Sequence, residues 1–147
     1  MNYIKIQKKI LDNFLKGLAQ FPCLTLDDYY LISDNTFQIF RIPKSEMWLD
    51  VKKMMKGRQE MTSLEKIMQI EGEDGVLTGD AKQAPNGIVV KVASTNNIAW
   101  VDKKLLERFE IKNGLHFTVS DAKKPLLVWE GEQLCGLICP VNVKEGD

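Results

Sequence analysis

Apolar side chains at Ile6, Ile10, Leu11, Phe14, Leu15 and Leu18 recur at helical spacing. That stripe predicts an amphipathic helix over residues 6–18. On a wheel of about 100° per residue, Lys9, Asp12, Asn13 and Lys16 fall opposite the stripe, with Lys8 at its edge. Gly17 and Pro22 mark its end. The period then changes to two. Tyr29 to Ser33 and Thr36 to Ile42 are β-rich runs separated by Asp34-Asn35, which predicts a hairpin. In the second run Phe37, Ile39 and Arg41 share one face, and Gln38, Phe40 and Ile42 the other.

The middle of the chain returns to helical spacing. Met47, Trp48, Val51, Met54 and Met55 form one short stripe, with Ser45 as the expected cap and Gly57 as the stop. Thr62 and Glu65 have capping-box spacing ahead of Leu64, Ile67 and Met68. Residues 71–87 are rich in Gly, Asp, Asn and Pro and read as loop, with one short strand around Val76 to Thr78. "GIVVKVAS" reads as a strand. "NIAWVDKKLLERF" reads as a strand running into a helix capped by Asp102 and buried through Leu105, Leu106 and Phe109. "LHFTVS", "LLVWEG" and "QLCGLICPVNV" are three further strand-like runs, and residues 144–147 read as a frayed tail.

Two stretches are nearly alike. "KKILDNFLKG" (Lys8 to Gly17) and "KKLLERFEIKNG" (Lys103 to Gly114) both run Lys-Lys, two aliphatics, an acid, a polar residue and Phe. Each precedes strands. A helix with one apolar stripe followed by a small sheet with one apolar face, given twice, predicts a single two-layer α+β domain. Its expected parts are a half repeat over 1–42, a partly helical insertion over 43–85 and a half repeat over 86–143. The helices are expected on one face of an antiparallel sheet.

The stretch "WVDKKLLERF…GLHFTVSDAKKPLLVWEGEQLCGLICPVNV" resembles the last half-domain of a bacterial sliding clamp, the ring-shaped processivity factor of DNA polymerases. "NYIKIQKKILDNFLKGLA" resembles a clamp domain's opening strand and helix. In that family the half-domain is a strand, a helix and three strands, the helices line the hole and face DNA, and the sheets form the rim. The resemblance implies a non-catalytic replication-associated or mobile-element scaffold. It implies that Lys8, Lys9, Lys16, Lys103, Lys104 and Arg108 face duplex DNA, touching phosphates without reading sequence. It also implies an apolar site for a partner's peptide at Pro140, Val141 and Val143, and a homo-oligomer. The chain departs from the family in carrying Asn142 where bacterial clamps usually have Arg. It also carries one domain, where the bacterial chains string three.

Charge restricts the nucleic-acid reading to local patches. The chain balances 20 basic against 20 acidic residues, so it has no long-range pull on phosphate. No apolar run is long enough to cross a bilayer, and Lys5, Lys8, Lys9 and Asp12 interrupt any signal-peptide core. Three cysteines without framework spacing suggest a reducing compartment, so the expected location is cytoplasmic.

Catalytic chemistry finds no motif. His116 stands in a strand-like run without a partner in sequence. Cys135 and Cys139 lack further close ligands for zinc, and no glycine-rich phosphate loop or nucleophile elbow occurs. The expectation is no enzyme, no metal and no cofactor. Trp48, Trp100 and Trp129 invite base stacking, but runs of this kind favour packing for at least two of them. Two alternatives stand beside the clamp reading. One is a protein-interaction module of the same fold without DNA contact. The other is a small-ligand binder built from Trp48 and the Met-rich middle.

Overall fold

The computed structural model describes residues 1–17 and 21–143. Leu18 and the expected tail 144–147 lie outside the described residues. The described residues form four α-helices and nine strands. They are α1 (Tyr3–Leu15), β1 (Cys23–Thr25), β2 (Tyr29–Ile32), β3 (Gln38–Pro43), α2 (Val51–Met54), α3 (Ser63–Ile67), β4 (Glu73–Ala84), β5 (Gly87–Ala93), β6 (Ile98–Asp102), α4 (Lys103–Glu107), β7 (Leu115–Val119), β8 (Leu126–Glu130) and β9 (Gln133–Ile138). The strands make one open antiparallel sheet in the order β1-β2-β3-β9-β8-β7-β4-β5-β6. The fold is α+β, as the alternation of periods predicts.

Part of that order is a palindrome. α1 leads into the meander β1-β2-β3, α4 leads into β7-β8-β9, and the third strand of each meander pairs with the other. The joint is narrow. Phe40 stands opposite Gly136, whose φ is +154°, and a Cβ there would come within 1.9 Å of the Ile39 carbonyl oxygen and 2.9 Å of the Phe109 ring. Only glycine has both the backbone freedom and the clearance for this approach.

Alternation along the strands separates two cores. On one face Ile6 and Ile10 of α1, Val51 and Met54 of α2 and Leu106 of α4 pack with Phe109 on Phe40, Ile42, Phe117, Val128 and Ile138. The Phe40 and Phe109 rings lie 4.9 Å apart. Burying each such ring stabilises the fold by about 1.5–3 kcal/mol. On the opposite face Leu64 and Met68, at the end of the chain's middle segment, pack on Leu24, Leu31, Ile39, Leu127 and Leu137. This corrects the expectation of helices on one face. Ile39 and Leu137 leave a second apolar surface bare, and α3 covers it.

The middle segment differs from expectation in three further respects. Helix α2 begins at Val51, because Asp50, not Ser45, caps it by accepting from the Lys53 N–H at 3.1 Å. Residues 44–46 form a 3-10 turn instead. Thr62 makes no side-chain cap bond to α3. Residues 73–84, expected as loop with one short strand around Val76 to Thr78, form the longest described strand. Its register slips between Leu77 and Ala81, where Gly79 takes φ +91°, so the glycine that argued for a loop is the bulge that lets the strand continue. The Glu73 carboxylate accepts from Ser94 Oγ (2.8 Å), the Asn96 N–H (3.0 Å) and the Asn97 side-chain amide (3.1 Å). Those bonds hold the β5–β6 turn and keep the carboxyl below its ordinary range, the Ser94 hydroxyl contributing most.

The resemblance implied a strand ahead of the first helix, and the structure has none there. Asn2 accepts from the Lys5 N–H at 3.1 Å and starts α1 at Tyr3. At the far end, the Cys139 N–H donates to the Phe37 carbonyl and the Val141 N–H to the Trp100 carbonyl, both at 2.7 Å. The segment after β9 therefore lies against the outer edge of β6.

Candidate functional site

Helices α1 and α4 form the surface on which the resemblance placed DNA. α1 is seated by Ile6, Ile10 and the fully buried Gln7. The Gln7 Nε2 donates to the carbonyls of Tyr3 (3.1 Å) and Glu46 (2.8 Å), and its Oε1 accepts from the Trp48 and Leu49 N–H groups. One side chain thus fastens the 46–49 segment to the helix. Helix α4 follows β6 without a loop. Asp102 Oδ1 accepts from the N–H groups of Lys104 (2.8 Å) and Leu105 (3.3 Å), which starts the helix where the strand ends.

A buried polar cluster ties the two helices together. Asp34, in the β2–β3 turn, accepts from the Arg108 Nη2 at 2.7 Å and from the Asn13 side-chain amide. Asn35 Nδ2 donates to the same carboxylate at 3.1 Å. Gln38, fully buried, donates to the Leu105 carbonyl at 2.8 Å. At the other end of the pair, Lys5 of α1 lies 3.9 Å from Glu110 just beyond α4.

The structure brings five of the six expected DNA-facing residues to the surface of this helical layer. Lys8 and Lys9 are exposed on α1 and Lys16 just after its end, and Lys103 and Lys104 are exposed on α4. Lys103 also lies 3.9 Å from Glu107 one turn on. Arg108 is different. Its guanidinium is committed to Asp34, whose side chain is 3% exposed, and it also lies 5.7 Å from the Phe40 ring centre. Arg108 is half-buried and turned inward, because the carboxylate buried at that point needs a cation beside it. The exposed lysines Lys52, Lys53 and Lys56, on and just after α2, lie on the same side of the sheet. The sequence reading left them out.

The expected partner-binding residues divide. Pro140 and Val141 line an apolar groove of about 290 Å³ with Phe37, Val89, Leu105 and the 84–87 turn. Phe37 is 61% exposed at its mouth. Val143 is half-buried and lies outside the groove.

The remaining polar and aromatic residues have structural neighbours. His116 Nδ1 lies 2.7 Å from an Asp74 carboxylate oxygen, and Nε2 lies 2.5 Å from the Gly131 carbonyl. The Gly131 carbonyl raises the imidazole pKa, partial burial opposes it, and the Asp74 carboxylate raises it further. Nothing near His116 in the sequence signals Asp74, which arrives from β4. Burial pushes the Cys23 thiol up to about 12 and the Cys135 thiol to about 11, so both are poor nucleophiles near neutral pH. Trp129 donates to Thr118 Oγ1 at 2.9 Å and stacks on His116. Trp100 is half-buried beneath the Lys82 ammonium. Trp48 is 49% exposed; Met47, Met54 and Met55 pack with the core, and Met54 together with Trp48 also lines an open groove between α1 and α2. Among the described residues no group of three or more His, Cys, Asp and Glu could hold a metal ion. No described helix is long and apolar enough to cross a membrane.

Comparison with protein-family models, curated proteins and solved structures gives no match to this chain.

Proposed function

We propose that this domain is a non-catalytic, clamp-like DNA-binding scaffold whose helical layer rests on the phosphates of duplex DNA. The observation that carries the reading is the side-by-side placement of α1 and α4 on one face of the sheet. They are locked through Asn13, Asp34 and Arg108, with Lys8, Lys9, Lys16, Lys103 and Lys104 exposed. Long flexible lysines on rigid helices suit contacts that neutralise phosphates without reading bases. The palindromic strand order supports the half-repeat architecture that the reading requires. Lys52, Lys53 and Lys56 extend the basic surface beyond the two repeated helices.

The test is retention on DNA of different topology. Sedimentation of the protein with closed circular and with linear duplex, at low and moderate salt, compares the two. An encircling oligomer stays on circles and leaves linear ends. A monomer that ignores both forms contradicts the proposal.

The second reading is a peptide-binding module of the same fold, favoured by the groove at Pro140 and Val141. It predicts a domain indifferent to DNA that loses its protein partner when Phe37 is changed to Ser.

A further inference from the structure

The outer shoulder of α1 is apolar where a surface helix is usually polar. Ile4, Leu11 and Leu15 fall on one side of the helix by their spacing, and Ile4 and Leu15 are 70% and 72% exposed. Beside them Trp48, 49% exposed, forms the opposite wall of a groove of about 450 Å³ between α1 and α2, floored by Leu49 and Met54. The groove's far wall is fastened to α1, because Gln7 accepts from the N–H groups of Trp48 and Leu49.

The groove's own lining carries one cation and one anion, Lys53 and Asp50, and further cations stand beside it. Lys8 lies on the helix face between Ile4 and Leu15, and Lys53 lines the groove from α2. The Arg58 guanidinium sits 5.2 Å from the ring centre of Phe14, another lining residue. Two acids are near. Asp50 turns its carboxylate to the Lys53 N–H, and Asp12 lies between Lys8 and Lys16 on the outer side of α1.

We propose that this groove docks an acidic amphipathic helix of a partner protein. That helix would place apolar side chains at i, i+4 and i+7 against Leu11, Leu15 and Trp48, with carboxylates toward Lys8 and Lys53. α1 is about 20 Å long at 1.5 Å per residue, enough to support three turns of a partner. A second copy of this chain fits less well. A two-fold pairing of the same face would set lysine against lysine. The inference rests on the groove alone and does not depend on DNA binding.

The test uses the full chain and two synthetic peptides of ~18 residues with leucines at helical spacing, one with glutamates on its polar face and one with lysines. Backbone amide and indole NMR shifts report where each binds. The acidic peptide is expected to shift Leu11, Leu15 and the Trp48 indole and to bind about tenfold or more tightly than the basic one. Leu15→Ser, at an exposed site, should keep the melting temperature and weaken the acidic peptide by about tenfold. Equal affinity for both peptides, no binding of either, or affinity indifferent to Leu15→Ser would overturn the proposal. So would shifts at these residues only with anionic phospholipid vesicles, which would make the groove a membrane contact. Duplex DNA in the same experiment is read at Lys9 and Lys104, which have no part in the groove, because Lys8 and Lys53 belong to both surfaces.

Discussion

Arg108 Nη2 and Asp34 Oδ1 lie 2.7 Å apart, with the carboxylate 3% and the guanidinium 20% exposed. The pair joins the helix of the second half to a turn of the first, and Asn13 brings α1 to the same carboxylate. Arg108→Met strands a buried charge and should cost about 3–5 kcal/mol. Asp34→Asn together with Arg108→Met should cost less than Arg108→Met alone, because no uncompensated charge remains. Calorimetric melts of the two variants check this, and a double variant no better than the single one would contradict the pairing.

Gly136 sets the distance between the two meanders. A methyl group there would collide with the Ile39 carbonyl oxygen and the Phe109 ring. Overpacking of this kind typically costs 1–3 kcal/mol, and about 3 kcal/mol or more is expected where the obstacle is backbone. Gly131→Ala is the control, since φ is +59° there but the space is open. Urea unfolding of both should place Gly136→Ala well below Gly131→Ala, and equal midpoints would show that the sheet joint relaxes.

His116 faces an acceptor at each ring nitrogen, and both contacts are satisfied at once only when the imidazole is protonated. Its pKa in the folded chain is raised above the ordinary value. A raised pKa contributes stability fully present below the unfolded value, near 6.5, and lost as pH rises through the folded value. The stability advantage of the wild type over His116→Asn should therefore be larger at about pH 5.5 than at about pH 8.5. Urea unfolding at the two pH values measures it, alongside a direct NMR titration of this single histidine. An advantage that grows toward high pH would contradict the geometry.

The second half of the chain was legible because its strands are apolar runs bounded by turn residues and its helix carries its own signal. Leu115 to Val119 alternates with period two, Gly87 to Ala93 and Leu126 to Glu130 are rich in β-branched and other apolar residues, and Asp102 announces α4. The residues that make the halves one body were not. Asp34 and Arg108 are 74 positions apart, and Asp74 and His116 are 42 apart, so nothing local marks either pair. The resemblance sets Arg108 with Lys103 and Lys104 on the DNA-facing surface, and nothing local marks its tie to Asp34. Gln7 carries no local sign of burial, yet it is buried, while Leu15 in the stripe is exposed. Residues 73–84 hid a strand because most of them face solvent, which removes the hydrophobic alternation that sequence reading depends on.

The central claim is that the lysines of α1 and α4 meet duplex phosphates together. Its most direct test is the salt dependence of duplex binding for the wild type and for Lys9→Glu combined with Lys104→Glu. Each phosphate contact adds about −0.9 to the slope of log K against log salt. The account predicts wild-type binding with a steep slope, and a shallower slope by about two in the double variant, with the melting temperature unchanged because both lysines are exposed. Wild-type and variant slopes that coincide, or a wild type that does not bind duplex at low salt, would contradict it.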